Sequence, residues 1–153
     1  MIAAVEQLVT FRLEESEFGL PIQEVYEIIF VPKVTAVAKA PMAMIGVIHL
    51  RGSVIPIIDL RIALRMSAAS GSRKQRIIIT EARGSQLGLL VDEVTEVLRT
   101  QGGQMKEPPE SIHTIDTRYM RAMFTIQERM LVLLDMDRVL DPRELEAVRS
   151  SVQ

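Results

Sequence analysis

The chain contains no cysteine, which excludes disulfides, thiolate nucleophiles and cysteine-ligated metals and leaves the redox compartment open. Tryptophan is absent as well, and only 4% of the residues are aromatic against 48% apolar. The core must therefore be aliphatic, and surfaces on which bases could stack are scarce. No run approaches the ~20 apolar residues of a membrane span, and the first seven residues lack the basic and apolar regions of a secretion signal. The chain thus reads as soluble and unexported. An excess of one charge is also missing. Lys and Arg nearly balance Asp and Glu, for a net charge of −2, so no broad basic field attracts phosphate backbones or anionic lipid. Neither a nucleic-acid partner nor direct membrane insertion is expected.

Groups for catalysis are equally sparse. The two histidines, His49 and His113, lie far apart and in no close ligand pair, so both read as surface or satisfied histidines and no metal site is expected. Gly102-Gly103 lacks the flanking residues that would wrap a phosphate, and no nucleophile-elbow motif occurs. The acidic pairs Glu24/Glu27 and Glu93/Glu96 could be imagined as acid–base partners, but the same pair recurring in two similar stretches favours a solvated face. No cofactor and no enzymatic activity are expected.

What is present is an internal repeat. Residues 19–28 (GLPIQEVYEI) match residues 88–97 (GLLVDEVTEV) at an offset of 69, and the apolar runs just upstream fall into the same register. Residues 46–59 (GVIHLRGSVIPIID) match residues 122–135 (AMFTIQERMLVLLD) at an offset of 76. Solenoids need about three or more repeats, so two copies imply two homologous subdomains packed together. A chain of 153 residues can support this, since a globule of such size buries roughly 70% of its unfolded surface.

Short β-branched runs at residues 8–13, 47–50, 54–60, 77–81 and 130–135 alternate with turn signals such as Arg51-Gly52-Ser53 and Arg83-Gly84-Ser85. The fold is predicted to be all-β, built as small barrels or a sandwich. Pro56 should lie at an edge or bulge. Residues 22–29 and 91–98 fit either a bent strand or a short helical turn. Residues 101–111, with Gly102-Gly103 and Pro108-Pro109, read as a loop. Asp141, Pro142 and Glu144 form a capping box, so a helix should run from there to about residue 150 with Leu145 and Val148 facing the barrels.

Arg51 has two readings: an exposed turn arginine, or an arginine held by a carboxylate at a partner-binding groove. Its counterpart in the second copy is Gln127, and a charge present in one copy only favours the second reading.

Phe18-Gly19-Leu20-Pro21-Ile22, Glu24-Val25-Tyr26-Glu27-Ile28, and the long stretch from Ile45 through Leu50-Arg51-Gly52-Ser53-Val54-Ile55-Pro56-Ile57-Ile58-Asp59 to Arg61 resemble the CheW family. Residues 88–94 and 129–137 complete the resemblance, which covers nearly the whole chain. It implies two five-stranded barrels within a single domain at residues 8–140, one barrel over 14–66 and the other over 8–13 and 75–140, followed by a C-terminal helix and tail at 141–153. It also implies a cytoplasmic adaptor, a monomer when free, that couples the tips of chemoreceptors to a CheA-type histidine kinase in arrays at the inner membrane. The output could be swimming, pilus motility or a second-messenger pathway; an oligonucleotide-binding barrel is the alternative from another class, disfavoured by charge and aromatic content. The family pattern places receptor contacts at Val25, Glu27, Gly46, Arg51, Ile77, Gly88, Val94 and Val97, and a Glu27–Arg51 salt bridge is expected across the groove. Kinase contacts are expected at Val34, Thr35 and Pro41. His49 and Ala122 depart from the family pattern without affecting the fold. Ser111 replaces a large apolar residue of a second kinase contact, which bears on ring closure of an extended array.

Overall fold

The computed structural model describes residues 6–68, 71–107 and 117–152. The strands are β1 (Gln7–Leu13), β2 (Ser16–Pro21), β3 (Glu27–Phe30), β4 (Met44–Leu50), β5 (Ser53–Asp59), β6 (Arg76–Ala82), β7 (Ser85–Val91), β8 (Glu93–Arg99), β9 (Gln104–Lys106), β10 (Met120–Ile126) and β11 (Arg129–Leu134). Helices α1 (Leu60–Ala63) and α2 (Met136–Val139) follow β5 and β11, and α3 (Pro142–Val152) ends the described chain. The repeat is visible residue by residue: β1 and β6, β4 and β10, and α1 and α2 coincide at the offsets of 69 and 76. Asp59 and Asp135 cap their helices identically, each accepting a hydrogen bond from the N–H two residues on.

Four two-residue hairpins each begin on a left-handed residue, and in three of them the second turn residue has positive φ as well. Glu14, Arg51, Arg83 and Gln127 each have φ between 47° and 55°, the left-handed conformation that matches the twist of the flanking strands. Glycine follows in two of them, at Gly52 and Gly84, with φ of 82° and 80°, where it adopts this conformation at little cost.

The strands form a six-stranded sheet in the order β8-β1-β2-β11-β10-β9 and a five-stranded sheet in the order β3-β6-β7-β5-β4. This corrects the expected division at 14–66. The five-stranded sheet takes every strand between residues 27 and 91, and the six-stranded sheet takes the strands on both sides of it. The two copies are interlocked: each sheet combines the first hairpin of one copy with the later strands of the other. Parallel pairs make the joins, β2 with β11 and β7 with β5, and equivalent glycines sit at both. A methyl group on Gly88 would come within 2.5 Å of Ile57 Cδ1 and 2.8 Å of Ile77 Cγ2; on Gly19 it would meet Leu133 Cδ2 at 3.0 Å.

Three aliphatic clusters fill the interior. Ile48, Ile55, Ile57, Ile77, Ile79 and Leu90 pack within the five-stranded sheet, and Leu8, Ala122, Phe124, Leu131 and Leu133 within the six-stranded one. The largest cluster draws on both sheets and on Leu145 and Val148 of α3, with Phe11 stacked on Phe18 at 5.8 Å. The five-stranded sheet closes towards a barrel through Thr35, whose N–H donates to Val47 O at 2.9 Å and whose O accepts from Val47 N–H at 2.8 Å. Both Val47 groups are thus turned away from β5, so the ring nitrogen of Pro56 opposite points towards β7, which pairs only with Ile57–Asp59. Pro56 therefore lies on an interior strand without removing a ladder bond.

The ambiguous segment at residues 22–29 contains both predicted forms, a 3-10 turn over Ile22–Glu24 and then β3; residues 91–98 are strand. The expected loop at residues 101–111 carries the short β9, and its Pro108-Pro109 and Ser111 lie outside the described residues, as does His113. The capping box is formed: Glu144 N–H donates to Asp141 Oδ1 at 2.8 Å and Asp141 N–H to Glu144 Oε1 at 3.0 Å.

Because Ile77 Cγ2 is branched next to the main chain and cannot swing away, Gly88→Ala should cost about 1–3 kcal/mol by overpacking. Gly19→Ala, which meets only the far end of a leucine, should cost clearly less. Guanidinium unfolding of the two variants checks the order, and equal midpoints would contradict the packing described.

Candidate functional site

The chain crosses between the sheets twice. It passes from β2 to β3 through residues 22–26, and from β7 to β8 through Asp92 alone. Each crossing launches an edge strand, β3 in one sheet and β8 in the other. The acidic pairs singled out in the sequence sit at these places, and all four carboxylates are ion-paired while keeping side-chain exposures of 29% to 45%. Glu24 accepts from Arg121 of β10, Glu27 from Arg51, and Glu96 from Arg129 of β11, while Glu93 lies 3.6 Å from Lys74 Nζ and 3.9 Å from Arg12 Nε.

The expected Glu27–Arg51 pair is formed, and it is bidentate. Arg51 Nη1 donates to Glu27 Oε1, and Nη2 donates to Oε2 at 2.8 Å. The left-handed turn at Arg51 (φ 49°) projects the guanidinium from the β4–β5 hairpin back towards β3, so the pair links strands at the two edges of one sheet. Glu27 is the more sheltered partner, with side-chain exposures of 29% for Glu27 and 71% for Arg51. The fork therefore keeps an accessible flank. The hydrogen bonds from Arg51 hold the Glu27 carboxyl below its ordinary range, and the same bonds raise the guanidinium.

Gln127 does not leave the second copy without an arginine, as its alignment with Arg51 suggested. Arg129, two residues further on, binds Glu17 through Nη2 at 2.6 Å and Glu96 through Nη1 at 2.8 Å. Glu96 is the counterpart of Glu27, so both edge strands carry a carboxylate–guanidinium clasp. The second was hidden because its arginine moved from the turn onto the strand. The hydrogen bonds to Glu17 raise Arg129 against the opposing effect of burial.

Residues 7–144 match the CheW-like domain family. The chain belongs to that family. Similar proteins include a probable chemotaxis protein CheW of Rhizobium etli, 34% identical over 92% of this chain and 91% of its own. The chemotaxis protein CheW of Klebsiella aerogenes is 32% identical over 94% of this chain and 86% of its own. The crystal structure of the scaffolding protein TtCheW from Thermoanaerobacter tengcongensis superposes with a TM-score of 0.80 at 30% identity, covering 91% of this chain and 90% of that one.

Within this CheW-like fold the eight expected receptor positions separate into two groups. Val25 lies in one crossing with Glu27 directly after it, and Val94 and Val97 follow the other; Val25 and Val94 pack their inner sides on the shared core, and Val97 is exposed. Arg51 joins them through Glu27. Gly46, Ile77 and Gly88 are buried in the chain and shape the strands around the site. Ile77 fills the interior of the five-stranded sheet, Gly88 admits the β5 side chains, and a side chain at Gly46 would run into the Thr35 carbonyl. Of the expected kinase positions, Val34 packs against the interior of the five-stranded sheet, Thr35 holds the bridge to Val47, and Pro41 lines a cleft of about 240 Å³ with Met42, Ile62 and Leu140. The sequence reading passed over the neighbouring apolar surface of β3. Tyr26, Ile28, Phe30 and Val31 are all exposed, Phe30 by 75% with Arg76 over its ring at 4.3 Å.

Among the described residues no three or more His, Cys, Asp or Glu are grouped to hold a metal ion, and no helix is long and apolar enough to cross a membrane. His49 is exposed on β4 beside Val54.

The lowered Glu27 pKa fixes the sign of a pH effect. Stability from the clasp is present above the ordinary glutamate value of 4.5 and is lost only as pH falls through the lower folded value. Carbon-13 NMR titration should place the Glu27 midpoint below 4.5 and move it upwards in Arg51→Gln. Identical midpoints in both proteins would contradict a clasp in solution.

Proposed function

We propose that this chain is a non-catalytic adaptor that couples chemoreceptors to a CheA-type histidine kinase in bacterial chemotaxis signalling, working in the cytoplasm beside the receptor membrane. Membership of the CheW-like family supports the signalling role, and the observation that carries the receptor contact is the Glu27–Arg51 clasp. An arginine fork half committed to a fixed carboxylate is oriented in advance, and its free flank suits a backbone carbonyl or a second carboxylate on a helical partner. An adaptor needs no reacting group. By holding receptor and kinase together it raises their effective concentration, and it biases the kinase only through contacts that differ between kinase states.

The expected outcome is that Glu27→Arg and Arg51→Glu each weaken receptor binding while sparing the kinase, and that the double exchange recovers part of the loss. Calorimetry on the four proteins forms a double-mutant cycle. A coupling indistinguishable from zero would reject the clasp as the receptor element.

For the kinase, the surface that supports docking is β3 with the segment that follows it, because exposed Phe30 and Val31 adjoin Val34 and Thr35 and a modest apolar patch with a polar rim suits a reversible interface. Val34→Asp would place a charge against the aliphatic interior and damage the fold itself. Phe30→Asp alters only surface. It should leave thermal unfolding nearly unchanged and weaken kinase binding about tenfold or more, the range of an aromatic hot spot; unaltered affinity would move the kinase surface elsewhere.

A further inference from the structure

Both crossings between the sheets are held by an arginine from outside the crossing segment. At Asp92, Arg61 of α1 donates from Nε to Oδ1 and Oδ2 at 3.0 Å each and from Nη2 to Oδ2 at 2.5 Å. The same carboxylate accepts the N–H of Glu14 in the β1–β2 turn at 2.7 Å, and Asp92 N–H donates to Arg12 O at 3.1 Å. Side-chain exposures of 12% for Arg61 and 17% for Asp92 show this tie to be the more sheltered of the two. It joins the end of β5 in one sheet to the first hairpin of the other.

At the other crossing, Arg121 of β10 reaches both oxygens of Glu24, at 3.0 and 3.1 Å. The Glu24 carbonyl accepts from the Thr80 hydroxyl of β6 at 2.6 Å, and Tyr26 N–H donates to Ile79 O at 2.9 Å. This segment too is tied to both sheets at once.

Val25 lies in the first crossing with Glu27 directly after it, and Val94 and Val97 follow the second. We propose that Arg121–Glu24 and Arg61–Asp92 are positioning pairs that fix β3 and β8 relative to one another, so that a partner bridging the two sheets meets a preformed surface. Two sheets joined by short crossings have few other covalent constraints on their mutual angle. Directional hydrogen bonds from a guanidinium to a carboxylate add their own restriction on that angle to the one the packed core imposes. A preformed surface binds more tightly because less order has to be imposed on binding.

This inference rests on the adaptor reading, and its test separates the two. Because the chain has no cysteine, Val54→Cys on β5 and Arg99→Cys on β8 take spin labels at those two places only. Arg121→Gln, and the milder Arg121→Lys that keeps charge but loses the reach of the guanidinium, should fold, broaden the distance distribution between the labels, and weaken receptor binding about five- to tenfold with kinase binding unchanged. The exchange Glu24→Arg with Arg121→Glu should narrow the distribution again and restore part of the affinity. An unchanged distribution in both single variants, or receptor and kinase affinities that fall together with thermal stability, would overturn the positioning role. Failure of the unsubstituted protein to bind a receptor would instead overturn the adaptor reading, with the label distances still deciding whether the pairs hold the sheets.

Discussion

At Gly88 of β7 the side chains of Ile57 and Ile77 pack so closely over the bare backbone that one added methyl group would fall within 2.5 Å of Ile57 Cδ1. This packing covers the place where a strand of the second copy pairs in parallel with a strand of the first, and Gly19 sits at the equivalent join in the other sheet. Once these two parallel pairs exist, the third strand of each copy is carried over to the first strand of the other, β3 to β6 and β8 to β1. The exchange places both edge strands next to the crossings, and it spreads the largest apolar cluster across the two sheets. Neither sheet is a self-sufficient half.

Electrostatics follows the same pattern. Carboxylates at Glu24, Glu27, Asp92 and Glu96 mark the crossings and the starts of the edge strands, and each is held by an arginine from another element. Pairs in this setting add little stability where they face water, but they define where side chains point. In a protein whose proposed work is simultaneous binding, fixed direction is the useful property.

Local features were legible from the sequence because local physics sets them. The α3 capping box, the left-handed hairpin turns at Arg51 and Arg83, and the repeat itself all depend on neighbours within a few residues or on direct similarity between segments. The Glu27–Arg51 pair was legible through family resemblance, since nothing local to either residue requires the other. The division into sheets was not, because strand pairing is a long-range choice and aligned copies do not reveal which copy a strand will join. Arg129 escaped for a related reason: alignment looked for an arginine at Gln127, whereas a fork of that length reaches the same carboxylate from two residues away. Gly46, Ile77 and Gly88 match a family pattern, and their burial became visible only once the strands were paired.

The central claim is that one chain holds two partners at once. Sedimentation of receptor cytoplasmic fragments in nanodiscs with a CheA-type kinase, with and without this protein, measures that directly. The account predicts a three-component assembly that forms with the protein and falls apart without it. A kinase that cosediments equally well in its absence, or a protein that joins the receptor and the kinase only in separate complexes, would contradict it.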